Sequence, residues 1–125
     1  MPSPTVSPGQ RKILYFSAAN NALGTLFFVP PFALARERFG LPEADAFYQW
    51  LVASWILIFG VGYLAMAVTG RLERGILAVG AGAKITFALL VIGYVASGRW
   101  PVQASLLAGT DLVLAIVYVR WLRAA

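Results

Sequence analysis

The sequence contains no cysteine and no histidine. Without cysteine there is no disulfide, no thiolate nucleophile, no iron–sulfur cluster and no cysteine-ligated zinc. Without histidine the chain lacks the commonest general base, metal ligand and haem ligand. Charge is scarce as well. Only 12% of the 125 residues are charged and 60% are hydrophobic, whereas a soluble domain carries about 25% charged residues. So few charges cannot solvate a water-facing surface. The composition excludes a soluble globular enzyme, a disordered chain and a disulfide scaffold, and it leaves lipid as the main solvent. A chain this short is expected to form one domain.

The net charge is +5, but the basic residues are spread over short connections. Nucleic-acid binding needs a clustered basic face, so nucleic acid is not expected as a partner. The acidic residues lie mostly in loops, and neither a metal site nor a cofactor is expected from them.

Four long apolar segments are present, over about residues 13–30, 47–69, 75–97 and 101–122. A bilayer core about 30 Å thick needs about 20 helical residues. The first segment is the shortest, because Pro30-Pro31 removes backbone donors and stops a helix. Spanning segments must satisfy their own backbone, and four strands of this length cannot close a barrel, so helices are expected. The turns agree: Gly70 to Arg74 and Gly98 to Pro101 are short and polar, while Gly40 and Pro42 read as helix stop and helix start. The expected fold is therefore all-α, an integral membrane four-helix bundle of antiparallel up-down topology. Residues 1–10, rich in Pro and Ser, are expected to form a disordered tail, and residues 11–125 a single transmembrane domain.

Arg11, Lys12, Arg71, Arg74, Arg120 and Arg123 fall on one side of such a bundle, against Arg36, Arg38 and Arg99 on the other. The positive-inside bias then places both termini in the cytoplasm of a multi-pass cell-membrane protein, with a bacterial inner membrane as the expected setting. Trp50, Trp100 and Trp121 lie near span ends, as an interfacial aromatic belt requires. Asn20-Asn21 interrupts the first apolar run, so a retained helix is preferred to a cleaved signal peptide. Residues 32–39 mix Arg and Glu with Phe and Leu. They suit either a short interfacial helix or a plain connection.

Two ionisable residues lie deep in spans. Lys84 stands about 14 Å and Asp111 about 16 Å from the cytoplasmic ends of their segments. Each alone costs about 2.5–3.5 kcal/mol at a helix centre. Their opposite charges at matched depth predict a pair. Lys84 shares a helix face with Gly80, Ala81 and Ala88, and Asp111 with Ala104, Ala108 and Ala115. Small residues on both faces permit close helix contact. Asn20 and Asn21 in the first segment and Tyr63 in the second fall at comparable depth. Asn20, Asn21, Tyr63, Lys84 and Asp111 thus form the candidate intramembrane polar site. No catalytic residue is assigned: Ser54 and Ser105 lack a base partner.

The overall plan, together with Gly60-Val61-Gly62-Tyr63-Leu64, Gly80-Ala81-Gly82-Ala83-Lys84 and Gly109-Thr110-Asp111-Leu112, resembles the small four-helix membrane proteins grouped as DoxX-like. The resemblance covers most of residues 11–122. It implies a membrane protein without a general assigned activity, in a group with some links to quinone or redox complexes, and it carries over no catalytic residue. Small multidrug transporters share the size and span number but rely on a membrane-embedded Glu in the first span, where this chain has Asn20 and Asn21.

Two functions stay open on these residues. The first is a non-catalytic membrane protein or accessory subunit, whose Lys84–Asp111 pair fixes helix register. The second is a small transporter or a quinone- or lipid-binding protein that uses the polar layer. An enzyme is the less favoured case, since only Asp111, Lys84 and Tyr63 could act as acid or base. The bilayer is the expected partner, and a homo-oligomer or a larger membrane complex is compatible with the chain.

Overall fold

The computed structural model describes residues 4–41 and 43–124. Pro42, the expected helix start, and residues 1–3 of the expected tail lie outside them. The chain is all-α, but the four-helix bundle is corrected. Among the described residues there are five α-helices: α1 Pro8–Phe28, α2 Ala33–Arg38, α3 Ala46–Thr69, α4 Arg74–Ala96 and α5 Ser105–Ala124. A short 3₁₀ turn, Val102–Ala104, runs into α5. Among the described residues, three segments are long and apolar enough to cross a membrane by length and composition: Ala46–Thr69, Arg74–Ala96 and Val102–Ala124. α1 is not among these. Arg11, Lys12, Ser17, Asn20, Asn21 and Thr25 dilute its apolar character. The three long apolar helices make this a multi-pass membrane protein.

Local chemistry sets the helix ends. Ser7 caps α1 in a reciprocal box with Gln10: each side chain accepts the other's backbone N–H, at 2.9 and 3.2 Å. Pro8 occupies the first turn, where its missing donor costs nothing. α1 therefore begins ahead of the apolar run. It ends before Pro30-Pro31, and the α2 turn follows. There the Leu41 N–H returns to the Arg36 carbonyl at 2.9 Å, and Gly40 takes a left-handed φ of +67°. α3 starts on Asp45, whose carboxylate accepts from the Phe47 N–H at 2.9 Å, and stops on Gly70.

The chain divides into two compact units, Met1–Ala33 with Ala44–Ile76, and Leu34–Glu43 with Leu77–Ala125. In the first, α1 and α3 lie antiparallel. A Cβ built on Gly60 would stand 3.0 Å from the Asn21 Cβ, and one on Gly24 would stand 3.6 Å from Ile56. The buried face of α1 carries Leu14, Ser17 and Asn21; that of α3 carries Gln49, Ala53, Gly60, Tyr63 and Ala67. The segment before α1 crosses the turn after α3: the Val6 N–H donates to the Gly70 carbonyl at 2.9 Å, and the Leu72 N–H donates to the Pro4 carbonyl at 2.8 Å. Val6 and Leu72 are both buried there.

In the second unit α4 and α5 are antiparallel. Ala88 and Val91 pack with Ala104 and Ala108, and Leu41, Phe87, Val95 and Trp100 close around them. The outer faces are apolar: Leu89, Leu106 and Val113 keep 63%, 70% and 61% of their surface exposed. Side chains of this kind, gathered on helices of spanning length, suit hydrocarbon rather than water.

Candidate functional site

The residues of α4 that turn inward are Leu77, Gly80, Ala81, Lys84, Ala88 and Val91. Their spacing of three and four residues makes one continuous stripe. Lys84 sits in its middle. On α5 the inward residues are Ala108, Leu114, Ala115 and Tyr118, and Asp111 lies half-buried between Ala108 and Ala115. Gly80, Ala81 and Ala88 on α4 and Ala108 and Ala115 on α5 bring the backbones close enough for a lysine and an aspartate to meet across them.

They do meet. The Lys84 Nζ donates to the Asp111 Oδ1 at 3.0 Å, a charge-assisted hydrogen bond within a salt bridge. The two side chains are not covered equally: that of Lys84 keeps 6% of its surface exposed and that of Asp111 keeps 18%. Lys84 is the more enclosed residue of the pair. Charges at this depth are tolerable because each neutralises the other's cost of leaving water.

The remaining candidate residues belong to the first unit. Asn21 is buried, and its Nδ2 donates to the Ile56 carbonyl at 2.9 Å in the middle of α3. Its own carbonyl accepts from the Thr25 hydroxyl at 2.9 Å. Asn20 is half-buried. Tyr63 is 1% exposed, three residues beyond Gly60 on α3. The structure thus joins Lys84 with Asp111, and Asn21 with the backbone of α3 over Gly60. Asn20 and Tyr63 share a unit with Asn21 and are held by different helices.

Two polar features are not singled out by the sequence. Gln49 is 7% exposed in the first turns of α3; its spacing to Ala53 and Gly60 would have marked it as inward-facing. The Ile56 carbonyl is the acceptor for Asn21, and a backbone acceptor leaves no signature in residue type.

Fold and site together define a multi-span, all-α membrane protein with a buried lysine–aspartate salt bridge within two apolar helices. Comparison with known proteins returns no matching family, no matching curated protein and no matching solved structure.

Proposed function

We propose that this is a small membrane transporter or a quinone- or lipid-binding protein, and that the Lys84–Asp111 pair is the polar centre of its binding site. One observation carries the reading: a 3.0 Å ion pair inside two apolar helices, whose aspartate side chain keeps 18% of its surface exposed. A charge pair with an accessible edge offers the few polar contacts that orient a mostly apolar ligand.

The test is native mass spectrometry of the full chain released from its own membranes. The wild type is compared with the Lys84→Met/Asp111→Leu double variant, which removes both charges together. A bound small molecule that the wild type carries and the folded double variant has lost supports the reading. Identical bound molecules on both proteins would overturn it in favour of an accessory subunit with a structural ion pair.

The same proposal includes an orientation. The Val6–Gly70 pairing puts the start of the chain at the Arg71 and Arg74 end of the first unit, and the excess of Lys and Arg at that end supports a cytoplasmic location. Kinship with DoxX-like proteins is likewise proposed, on residues 60–64, 80–84 and 109–112 alone.

A further inference from the structure

The geometry points to an anionic phospholipid as a bound partner of the first unit. Its phosphate headgroup rests on Arg11, Lys12 and Arg71, and one acyl chain runs along the outer face of α1. This site is separate from the Lys84–Asp111 pair and does not depend on the role proposed for that pair.

The backbone gathers the cations. Thr5 and Arg71 stand opposite each other in an antiparallel bridge, held by the Val6–Gly70 and Leu72–Pro4 hydrogen bonds. That bridge ties the start of α1 to the turn after α3. Gly70 takes a left-handed φ of +71° in the turn, and a Cβ on it would stand 3.1 Å from the Arg11 Nη2. The Arg11 guanidinium therefore lies against the turn, beside the residue that precedes Arg71, and Lys12 follows on α1. All three basic residues are exposed. Among the described residues none of the three has an ion-pair partner. Glu73, the acid of this turn, is half-buried and has interactions of its own. Asp45 caps the opposite end of α3. Three like charges gathered at one end of a helix pair repel one another, and a bound anion offsets that repulsion. Phosphate oxygens suit them: a guanidinium donates paired N–H bonds and an ammonium adds a compact charge.

The residues beneath the cations favour a lipid over a soluble anion. Lys12, Phe16, Ala19, Leu23 and Leu26 recur at three and four residues and so form one stripe of α1. Every one of them is exposed, and none beyond Lys12 is polar. From Lys12 to Leu23 the helix rises about 16 Å, close to half of a hydrocarbon core about 30 Å thick. A basic cluster at the head of an apolar stripe one leaflet deep matches a phospholipid. The phosphate meets the charges at headgroup level, and the methylene groups meet Phe16 and Leu23 below. A soluble phosphate would use the cations alone.

The experiment is native mass spectrometry of the full chain in a neutral detergent, titrated with dioleoylphosphatidylglycerol and, separately, with dioleoylphosphatidylcholine. The two lipids share their acyl chains and differ in net charge. The wild type is expected to bind the first phosphatidylglycerol at least about tenfold more tightly than the first phosphatidylcholine. Arg11→Gln, Lys12→Gln and Arg71→Gln are each expected to weaken phosphatidylglycerol about fivefold, the usual worth of one basic residue at an anionic surface, and to leave phosphatidylcholine unchanged. Arg120→Gln/Arg123→Gln removes as much charge as Arg11→Gln/Arg71→Gln, but from the end of α5, and is expected to keep the preference. The wild-type comparison stands even where a variant does not fold. Equal binding of the two lipids, or a preference lowered alike by both pairs of substitutions, would overturn the inference. Displacement of phosphatidylglycerol by an equal concentration of inorganic phosphate would also overturn it, in favour of a soluble anion.

Discussion

Gly60 of α3 lies directly beneath Asn21 of α1, and a Cβ at position 60 would stand 3.0 Å from the Asn21 Cβ and 3.6 Å from the Ala18 carbonyl. The hydrogen bond from Asn21 to the Ile56 carbonyl depends on that approach. Gly60→Val is therefore expected to push the helices apart and break the bond. The loss should be about 1–3 kcal/mol, the usual range for overpacking, read as a lower unfolding midpoint in detergent. Gly82→Ala supplies the control. A Cβ there meets nothing within 4 Å, so its midpoint should hold or rise.

Asn21→Leu removes the same bond while keeping the bulk. Interhelical hydrogen bonds in bilayers are worth about 0.6 kcal/mol on average and up to about 1.7. The expected loss is of that size, clearly smaller than for Gly60→Val. A larger loss for Asn21→Leu than for Gly60→Val would show that hydrogen bonding, not helix approach, dominates this contact.

Asp111→Asn leaves the Lys84 ammonium buried without a counter-charge. Breaking a buried pair from one side costs about 3–5 kcal/mol, while replacing both members with apolar groups is often neutral. The single variant should unfold at much lower denaturant than the wild type, and Lys84→Met/Asp111→Leu should recover most of the difference. Equal stability of the wild type, the single variant and the double variant would mean that the pair does not exist.

Gly40 and Gly98 separate two costs of adding a methyl group. Both hold left-handed φ values, +67° and +78°. At Gly98 a Cβ meets nothing within 4 Å, while at Gly40 it meets the Pro101 ring at 2.9 Å. Gly98→Ala should cost only the backbone term of about 1–2 kcal/mol. Gly40→Ala should cost more, because the α2 end can no longer seat on Pro101. Thermal midpoints of the two variants check the order.

The absence of native cysteine makes the orientation easy to read. Thr5→Cys and Ser97→Cys each introduce a single thiol at an exposed position. A membrane-impermeant maleimide added to intact cells should label Ser97→Cys and spare Thr5→Cys. The reverse pattern would invert the proposed topology.

Much of this organisation is legible in the sequence because it is periodic. The inward stripe around Lys84 recurs at three and four residues, and so does that around Asp111, so matched depth and opposite charge are enough to pair them. Tertiary and capping effects are less legible. The start of α1 rests on Ser7 and Gln10, three residues apart in a stretch whose proline and serine content suggests disorder. The six-residue α2 is closed by backbone bonds to Arg36 and Glu37, which residue type does not reveal. The expected four-helix plan misses α2 because six residues between Pro30-Pro31 and Gly40 are too short for a periodic signal.

Lys84 precedes its counter-ion by 27 residues. During synthesis, every partner in the unit built by α1 and α3 has been made before α4 is complete, so those helices can close early. The lysine, in contrast, reaches the translocation channel alone, with a transfer penalty of about 2.5–3.5 kcal/mol. It gains neutralisation only when the last helix emerges. The final hairpin therefore has reason to enter the bilayer as one piece, and a ribosome paused between positions 84 and 111 would leave the nascent chain open to quality-control proteolysis.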